Sequence, residues 1–116
     1  MLAKKYRISS EDIGRTIKNG KSFHADHFYG KFALNNTKNS RFAVVSSIKI
    51  EKTSVGRHLL KRRISSTIES FFKKNPKSLE IPFDLIIFSK KGAPLLSFFQ
   101  ISIEVSQILE NTHKNF

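Results

Sequence analysis

The stretch Ser54-Val55-Gly56-Arg57-His58-Leu59-Leu60-Lys61-Arg62-Arg63-Ile64-Ser65 packs four cations, Arg57, Lys61, Arg62 and Arg63, into seven residues without losing helical apolar spacing. On a helix advancing about 100° per residue, Arg57, His58, Lys61, Arg62 and Ser65 fall within an arc of roughly 140°. Leu60, Ile64, Thr67, Ile68 and Phe71 fill the neighbouring arc, the spacing of a buried stripe. One side of this helix therefore docks on a core, and the adjoining side carries positive charge outward. Closely spaced like charges repel one another unless an anion with regularly spaced phosphates lies against them. Nucleic acid is the first partner to consider.

Working outward from that helix, the preceding segments change period. Ser9-Ser10-Glu11-Asp12 reads as a helix start, a serine cap followed by acids in the first turn. Ile13 and Ile17 give this short helix a thin apolar edge, and Gly20 is expected to stop it in the left-handed conformation. From Phe23 to Leu34 the pattern alternates, with Phe28, Gly30, Phe32 and Leu34 on one face and Tyr29, Lys31 and Ala33 on the other. The residues before this strand leave room for an extra short one. Asn35-Asn36-Thr37-Lys38-Asn39-Ser40 is a turn cluster, and Arg41 to Ile50 resumes as a strand, so the two runs are expected to pair as a hairpin.

Downstream, the basic helix is expected to end near Phe72, followed by a surface connection through Lys73-Lys74-Asn75-Pro76-Lys77-Ser78. Phe83-Asp84-Leu85-Ile86-Ile87-Phe88 is the dense apolar run of a central strand, broken by Lys90-Lys91-Gly92-Ala93-Pro94. The last segment fits two periods: Phe99, Ile101, Ile103 and Val105 alternate, while Ile101, Val105, Ile108 and Leu109 make a helical stripe. Its length and a Ser97–Gln100 capping box favour helix. The expected architecture is α+β, a two-layer sandwich with helices on a mostly antiparallel four-stranded sheet, in the order α-β-β-β-α-β-α.

The 116 residues suffice for a single domain spanning 1–116 and are too few for two. A net charge of +12 at this size matches the electrostatic footprint of a nucleic-acid binder. The basic residues are spread along the chain rather than gathered beside an exposed apolar face, which argues against membrane-surface binding. With no cysteine, disulfides and thiolate metal sites are excluded. The basic start Met-Leu-Ala-Lys-Lys-Tyr-Arg is not followed by an apolar run, so no secretory signal and no membrane span are expected, and a cytoplasmic location is. Eleven Phe residues sit mostly within patterned segments, which assigns most of them to the core and leaves a minority for stacking on bases.

No self-sufficient catalytic site is legible. His24, His27, His58 and His113 lack carboxylate or cysteine partners at metal-ligand spacing, and Glu69, Asp84 and Glu104 are scattered. Gly56 and Gly92 are single glycines, short of a phosphate-cradling loop. A nuclease that acts alone needs carboxylates to hold magnesium, and this chain is poor in them. Any hydrolysis it supports must use catalytic groups supplied by a partner.

With the basic helix, the strand order and the missing active site in view, nearly the whole chain resembles the protein subunit of bacterial ribonuclease P. That family opens with an Arg-Leu-like pair before a short helix ending in Gly and a Ser-Phe-like strand start; here these are Arg7-Ile8, Gly20 and Ser22-Phe23. Its next strand ends in a serine and lysines, as in Arg41-Phe42-Ala43-Val44-Val45-Ser46-Ser47-Ile48-Lys49. Its signature, Ala-Val-x-Arg-Asn-x-Ile-Lys-Arg-x-Ile-Arg, is matched by the Ser54–Ser65 stretch, and its Asp-apolar strand and Lys-x-Gly turn by Asp84 to Gly92.

The resemblance implies a left-handed crossover from strand through basic helix to a parallel central strand. It also implies a ribonucleoprotein that removes the 5′ leader from precursor tRNA, with catalysis and Mg2+ supplied by the RNA subunit. The implied partners are ribonuclease P RNA and precursor tRNA, with no membrane and no obligate protein partner. The implied RNA-binding residues are Arg57, His58, Lys61, Arg62, Arg63, Lys52 and Arg7. The implied leader cleft comprises Ile13, Ile17, Lys31, Ser47 and Lys49. This chain departs from the family at His58, where the signature asparagine helps hold a metal ion, so no metal ligand is carried over. It departs also at Leu59 and Ser65, where the family has arginine, and at Ile13 and Ile17, where it has aromatic residues. The alternative on composition is a small basic ribosomal or RNA-chaperone protein with no part in an enzyme.

Overall fold

The run Phe83–Ser89 is buried along almost its whole length, and that burial on both faces puts it in the middle of the sheet. The computed structural model describes residues 6–35, 37, 39–75 and 82–114. Met1 to Lys5 of the basic start, Asn36 and Lys38 of the polar turn, and Pro76-Lys77-Ser78 of the expected connection lie outside them. The elements are α1 (Ser10–Asn19), β1 (Lys21–His24), β2 (Phe28–Leu34), β3 (Arg41–Val45), α2 (Ser54–Lys74), β4 (Phe83–Ser89) and α3 (Phe98–Lys114), with a 3-10 turn at Ala93–Leu95. This is the expected order, including the extra short strand.

The four strands lie in the order β1-β2-β4-β3. β1 and β2 pair antiparallel with Phe23 opposite Gly30, β2 and β4 antiparallel with Phe32 opposite Leu85, and β3 and β4 parallel with Val44 opposite Ile87. The hairpin expected between β2 and β3 does not form, because β4 lies between them. Asp84 supplies the physical reason. Its Oδ1 accepts from Asn35 Nδ2 at 2.8 Å, just past β2, and from Arg41 Nε at 2.9 Å, at the start of β3. Its Oδ2 accepts from Arg41 Nη2 at 2.7 Å. One carboxylate thus gathers both neighbours around the first residues of β4, and β3, being parallel, reaches it through α2. β3 also ends at Val45 rather than Ile50, since residues 48–50 turn back on the Ser47 carbonyl.

Phe28, Phe32, Leu85 and Ile87 form the face on which α2 and α3 pack, through Leu60, Ile64 and Ile68 and through Ile101, Val105, Ile108 and Leu109. α3 is a helix, as length and cap suggested; its alternation came from outward Phe99 and Ile103, both exposed. Half of the capping box forms: Ser97 Oγ accepts the Gln100 N–H at 3.2 Å, while the Gln100 amide donates forward to Glu104.

On the second face α1 covers one end. Ser9 caps it, Asp12 pairs with Arg41 Nη1 at 3.0 Å, and Lys31 Nζ donates to the Ile17 carbonyl at 3.1 Å. The Asp12 carboxyl is held below its ordinary range by the Ser9 hydroxyl first, then by Arg41 and Arg15. Gly20 stops α1 with an extended backbone, φ −79°, not a left-handed one. Glycine is needed there because a Cβ would lie 2.5 Å from the Thr16 carbonyl oxygen and 2.9 Å from that of Phe32.

At the other end of the sheet, His27 lies in the bend between β1 and β2 rather than in a strand. Its backbone N–H donates to Glu104 Oε1 at 2.6 Å, and its Nδ1 lies 2.8 Å from Glu104 Oε2. The fold therefore supplies this histidine with the carboxylate that spacing did not reveal. Burial pushes the Glu104 carboxyl up, but the hydrogen bonds from His27 and Gln100 outweigh it and hold the group below its ordinary value. Among the described residues no helix is long and apolar enough to cross a membrane.

Candidate nucleic-acid interface

α2 begins on a built platform. Thr53 Oγ1 accepts the Gly56 N–H at 3.0 Å, and Glu51 Oε1 accepts from the Thr53 N–H and hydroxyl, both at 3.1 Å. A Cβ on Gly56 would lie 2.6 Å from Glu51 Cδ and 2.7 Å from Thr53 Oγ1, so a larger residue there would push the capping side chains aside. Arg57 Nη1 donates to the carbonyls of Glu51 at 2.9 Å and Lys52 at 3.1 Å. Half-buried Arg57 therefore stiffens the loop entering α2, a role its place in a basic run did not announce. Lys49 and Lys52 are exposed along that loop.

Beyond the platform, His58, Lys61 and Arg62 are exposed, and none of them makes an ion pair with a carboxylate of the described residues. The predicted cationic face is thus outward and uncompensated, with one correction. Ser65, placed by spacing on the same arc, is buried, because that flank of α2 turns toward β3 and Ile8. Between α1, β3 and α2 opens a cleft of about 270 Å³, lined by Arg7, Ile8, Ile13, Ala43, Val45 and Lys61 among others.

The fold brings Arg7, Ile13 and Lys61 into one cleft. Ile17 and Lys31 meet farther along α1, where the ammonium donates to the Ile17 carbonyl near the helix end. Ser47 and Lys49 lie in the loop after β3 and are not among the residues lining the cleft. Arg63 turns away from the main arc, half-buried, toward α3.

Sequence reasoning missed a row of rings on the open part of the second sheet face. His24 stacks on Tyr29 with centroids 5.1 Å apart and planes at 15°, and Tyr29 on Phe88 at 4.6 Å and 7°. These are direct cross-strand partners on β1, β2 and β4, and Val45 of β3, a lining residue of the cleft, stands opposite Phe88. The face is therefore aromatic and adjoins the cationic cleft, and every nucleobase has a π face that can stack on such rings. Alternation in β2 gave Tyr29 its side of the sheet, but its neighbours depend on register between distant segments.

As a metal site the donor set does not fit. Among the described residues no three His, Cys, Asp or Glu side chains gather closely enough to hold an ion. Asp84 is taken by Arg41, Asp12 by Arg15 and Arg41, and Glu104 by His27.

A profile of the family described as Ribonuclease P matches residues 2–113. The ribonuclease P protein component of Geobacter sp. (strain M21) is 33% identical over 93 residues, covering 80% of this chain and 75% of that protein. Among solved structures, the Staphylococcus aureus ribonuclease P protein superposes with a TM-score of 0.73 at 23% identity, covering 91% of this chain and 94% of that one. The Thermotoga maritima protein gives 0.73 at 22% identity, with 90% and 96% covered. These last two similarities establish a shared fold, and the family match and the Geobacter relative carry the assignment. With its outward cationic helix, its α+β fold and these relatives, this basic chain belongs to the ribonuclease P protein component family.

Proposed function

We propose that the chain works in the cytoplasm as the protein subunit of a ribonuclease P that removes the 5′ leader of precursor tRNA. In this reading His58, Lys61, Arg62 and the loop cations Lys49 and Lys52 lie against phosphates of the RNA subunit, and Arg57 keeps that loop in shape. The cleft bearing Arg7, Ile13 and Lys61 receives the leader backbone, and the His24–Tyr29–Phe88 row receives its bases. Ile17 and Lys31 act at one remove, fixing α1 as the wall of the cleft.

The observation that carries the reading is the position of Lys61. It belongs to the cationic face of α2 and also lines the cleft, so one side chain borders both surfaces. Two polyanions that meet at such a ridge repel each other less, and each released counterion favours the complex. The protein thereby orients the leader without touching the scissile bond. Mg2+ would be held by the RNA subunit, where it supplies the hydrolytic chemistry; in this chain Asp12, Asp84 and Glu104 are held by Arg15, Arg41 and His27. No membrane and no further protein partner enters the scheme.

The test is reconstitution with ribonuclease P RNA at low magnesium, using precursor tRNA with and without its leader. Stimulated cleavage and a leader-dependent gain in affinity are expected. Binding of RNA with neither effect would favour a general RNA-binding protein instead.

A further inference from the structure

On the flank of α2 away from the cleft, a groove of about 320 Å³ runs between α2 and the start of α3, lined by Leu59, Arg62, Arg63, Ser66, Glu69 and Phe98. Two guanidinium groups face one carboxylate there. Phe98 is 47% exposed and Leu59 43%, and the neighbouring Phe99 and Leu95 are more open still. Leu59 and Phe98 thus leave apolar surface open in a groove that also holds two arginines, and apolar surface rimmed by polar groups marks an interaction site.

We infer that this groove binds an unpaired nucleotide of the RNA subunit, its base on the Phe98 ring and its phosphate between Arg62 and Arg63. The inference rests on the proposed function and extends it to a second side of α2. A second copy of the chain fits poorly, since two chains of net charge +12 would meet with arginines facing arginines. A nucleotide offers both things the groove asks for, an anion and a flat π face. Arg62 also joins the groove to the outward cationic face, so an RNA lying on that face continues into it. The precursor leader is the wrong source: Lys61 and Arg63 are separated by about 200° around the helix, so a strand in the cleft lies across α2 from Phe98.

The experiment uses the full chain with in vitro transcribed bacterial ribonuclease P RNA. Phe98→Ala should weaken binding of that RNA roughly tenfold, whereas Phe98→Trp, which keeps a stacking face, should bind as the parent does. The holoenzyme's preference for leader-bearing over leaderless precursor tRNA should not change. A photoreactive benzoylphenylalanine at position 98 should crosslink to an unpaired nucleotide of the RNA subunit, a readout that does not depend on how Phe98→Ala folds. Parent-like binding by Phe98→Ala overturns the inference, as do crosslinks to the leader or to another copy. Loss of adsorption to phosphatidylglycerol vesicles with RNA affinity intact also overturns it. If the unsubstituted chain does not bind the RNA subunit, the proposed function itself falls; if it binds and Phe98→Ala binds equally, only the groove does.

Discussion

Replacing Asp84 by Asn keeps the shape of the side chain and removes the charge that organises the sheet. Asp84 is 3% exposed in its side chain and Arg41 13%, so the pair is effectively out of water. Its carboxylate accepts two N–H groups of Arg41 and one of Asn35, at 2.7 to 2.9 Å. The same pairing, first through the hydrogen bonds Arg41 donates to Asp84 and then through the charge of Asp84, raises the pKa of Arg41. Taking one member from a buried pair costs about 3–5 kcal/mol, because the other charge is left without its partner. Arg41 keeps Asp12 at 3.0 Å, which puts the expected loss near the lower end, about 3 kcal/mol. With a urea slope of roughly 1.5 kcal/mol/M for a domain of this size, the midpoint should fall by about 2 M.

Urea unfolding followed by circular dichroism measures this directly. The double replacement Arg41→Met with Asp84→Leu should cost far less than the two single changes added, since it leaves no stranded charge. Leader affinity in the holoenzyme should fall with Arg41→Met, because Arg41 also tethers α1 through Asp12. A midpoint shift below about 0.5 M, or single-residue losses that simply add, would refute the view that this ion pair sets the strand order.

Further outcomes follow from other sites. Lys61→Ala with Arg62→Ala should lower the slope of log binding constant against log salt by roughly 1.4 to 1.8 units, one phosphate contact per cation, in filter binding to the RNA subunit. Arg57→Ala should in addition raise protease sensitivity in the 51–53 loop, whose carbonyls it holds. Glu104 titrates below its ordinary value of 4.5 in the folded chain, so its stabilising contribution is complete above that value and drains away as pH falls through the folded pKa. Glu104→Gln should therefore flatten the acid limb of a stability–pH curve, and an unchanged limb would count against the His27 contact. A Cβ added at Gly14 would meet nothing within 4 Å, so Gly14→Ala should stabilise by about 0.5–1 kcal/mol, while Gly20→Ala, aimed at two carbonyl oxygens, should destabilise.

What could be read from the chain was whatever depends on near neighbours. Leu60, Ile64 and Ile68 recur at helical spacing, so α2 and its cationic side were visible, as was the burial of the Leu85-Ile86-Ile87 run. The Ser9 cap and the helical nature of α3 follow from the same local rules. Strand adjacency is different, because alternation assigns a face and not a neighbour. The false hairpin between β2 and β3 arose there, and the decisive contacts, Asn35 and Arg41 on Asp84, join residues far apart in sequence. The same holds for the site. Lys61 and Ile13 were named separately, and only the fold sets them in one cleft. The ring row needs the register of three strands, and the His27–Glu104 contact spans 77 residues. Buriedness of Ser65 escaped because a helical arc says nothing about which flank meets β3.

The strand order also dictates a schedule for the ribosome. β2 and β3 leave the exit tunnel before β4, yet each pairs with β4 and not with the other. Until Phe83–Ser89 emerges, the sheet can consist only of the β1–β2 pair, and α2 must wait without its floor. A nascent chain halted before Phe83 should thus resemble an unfolded polycation, and its collapse should come late and abruptly, with the arrival of a single segment.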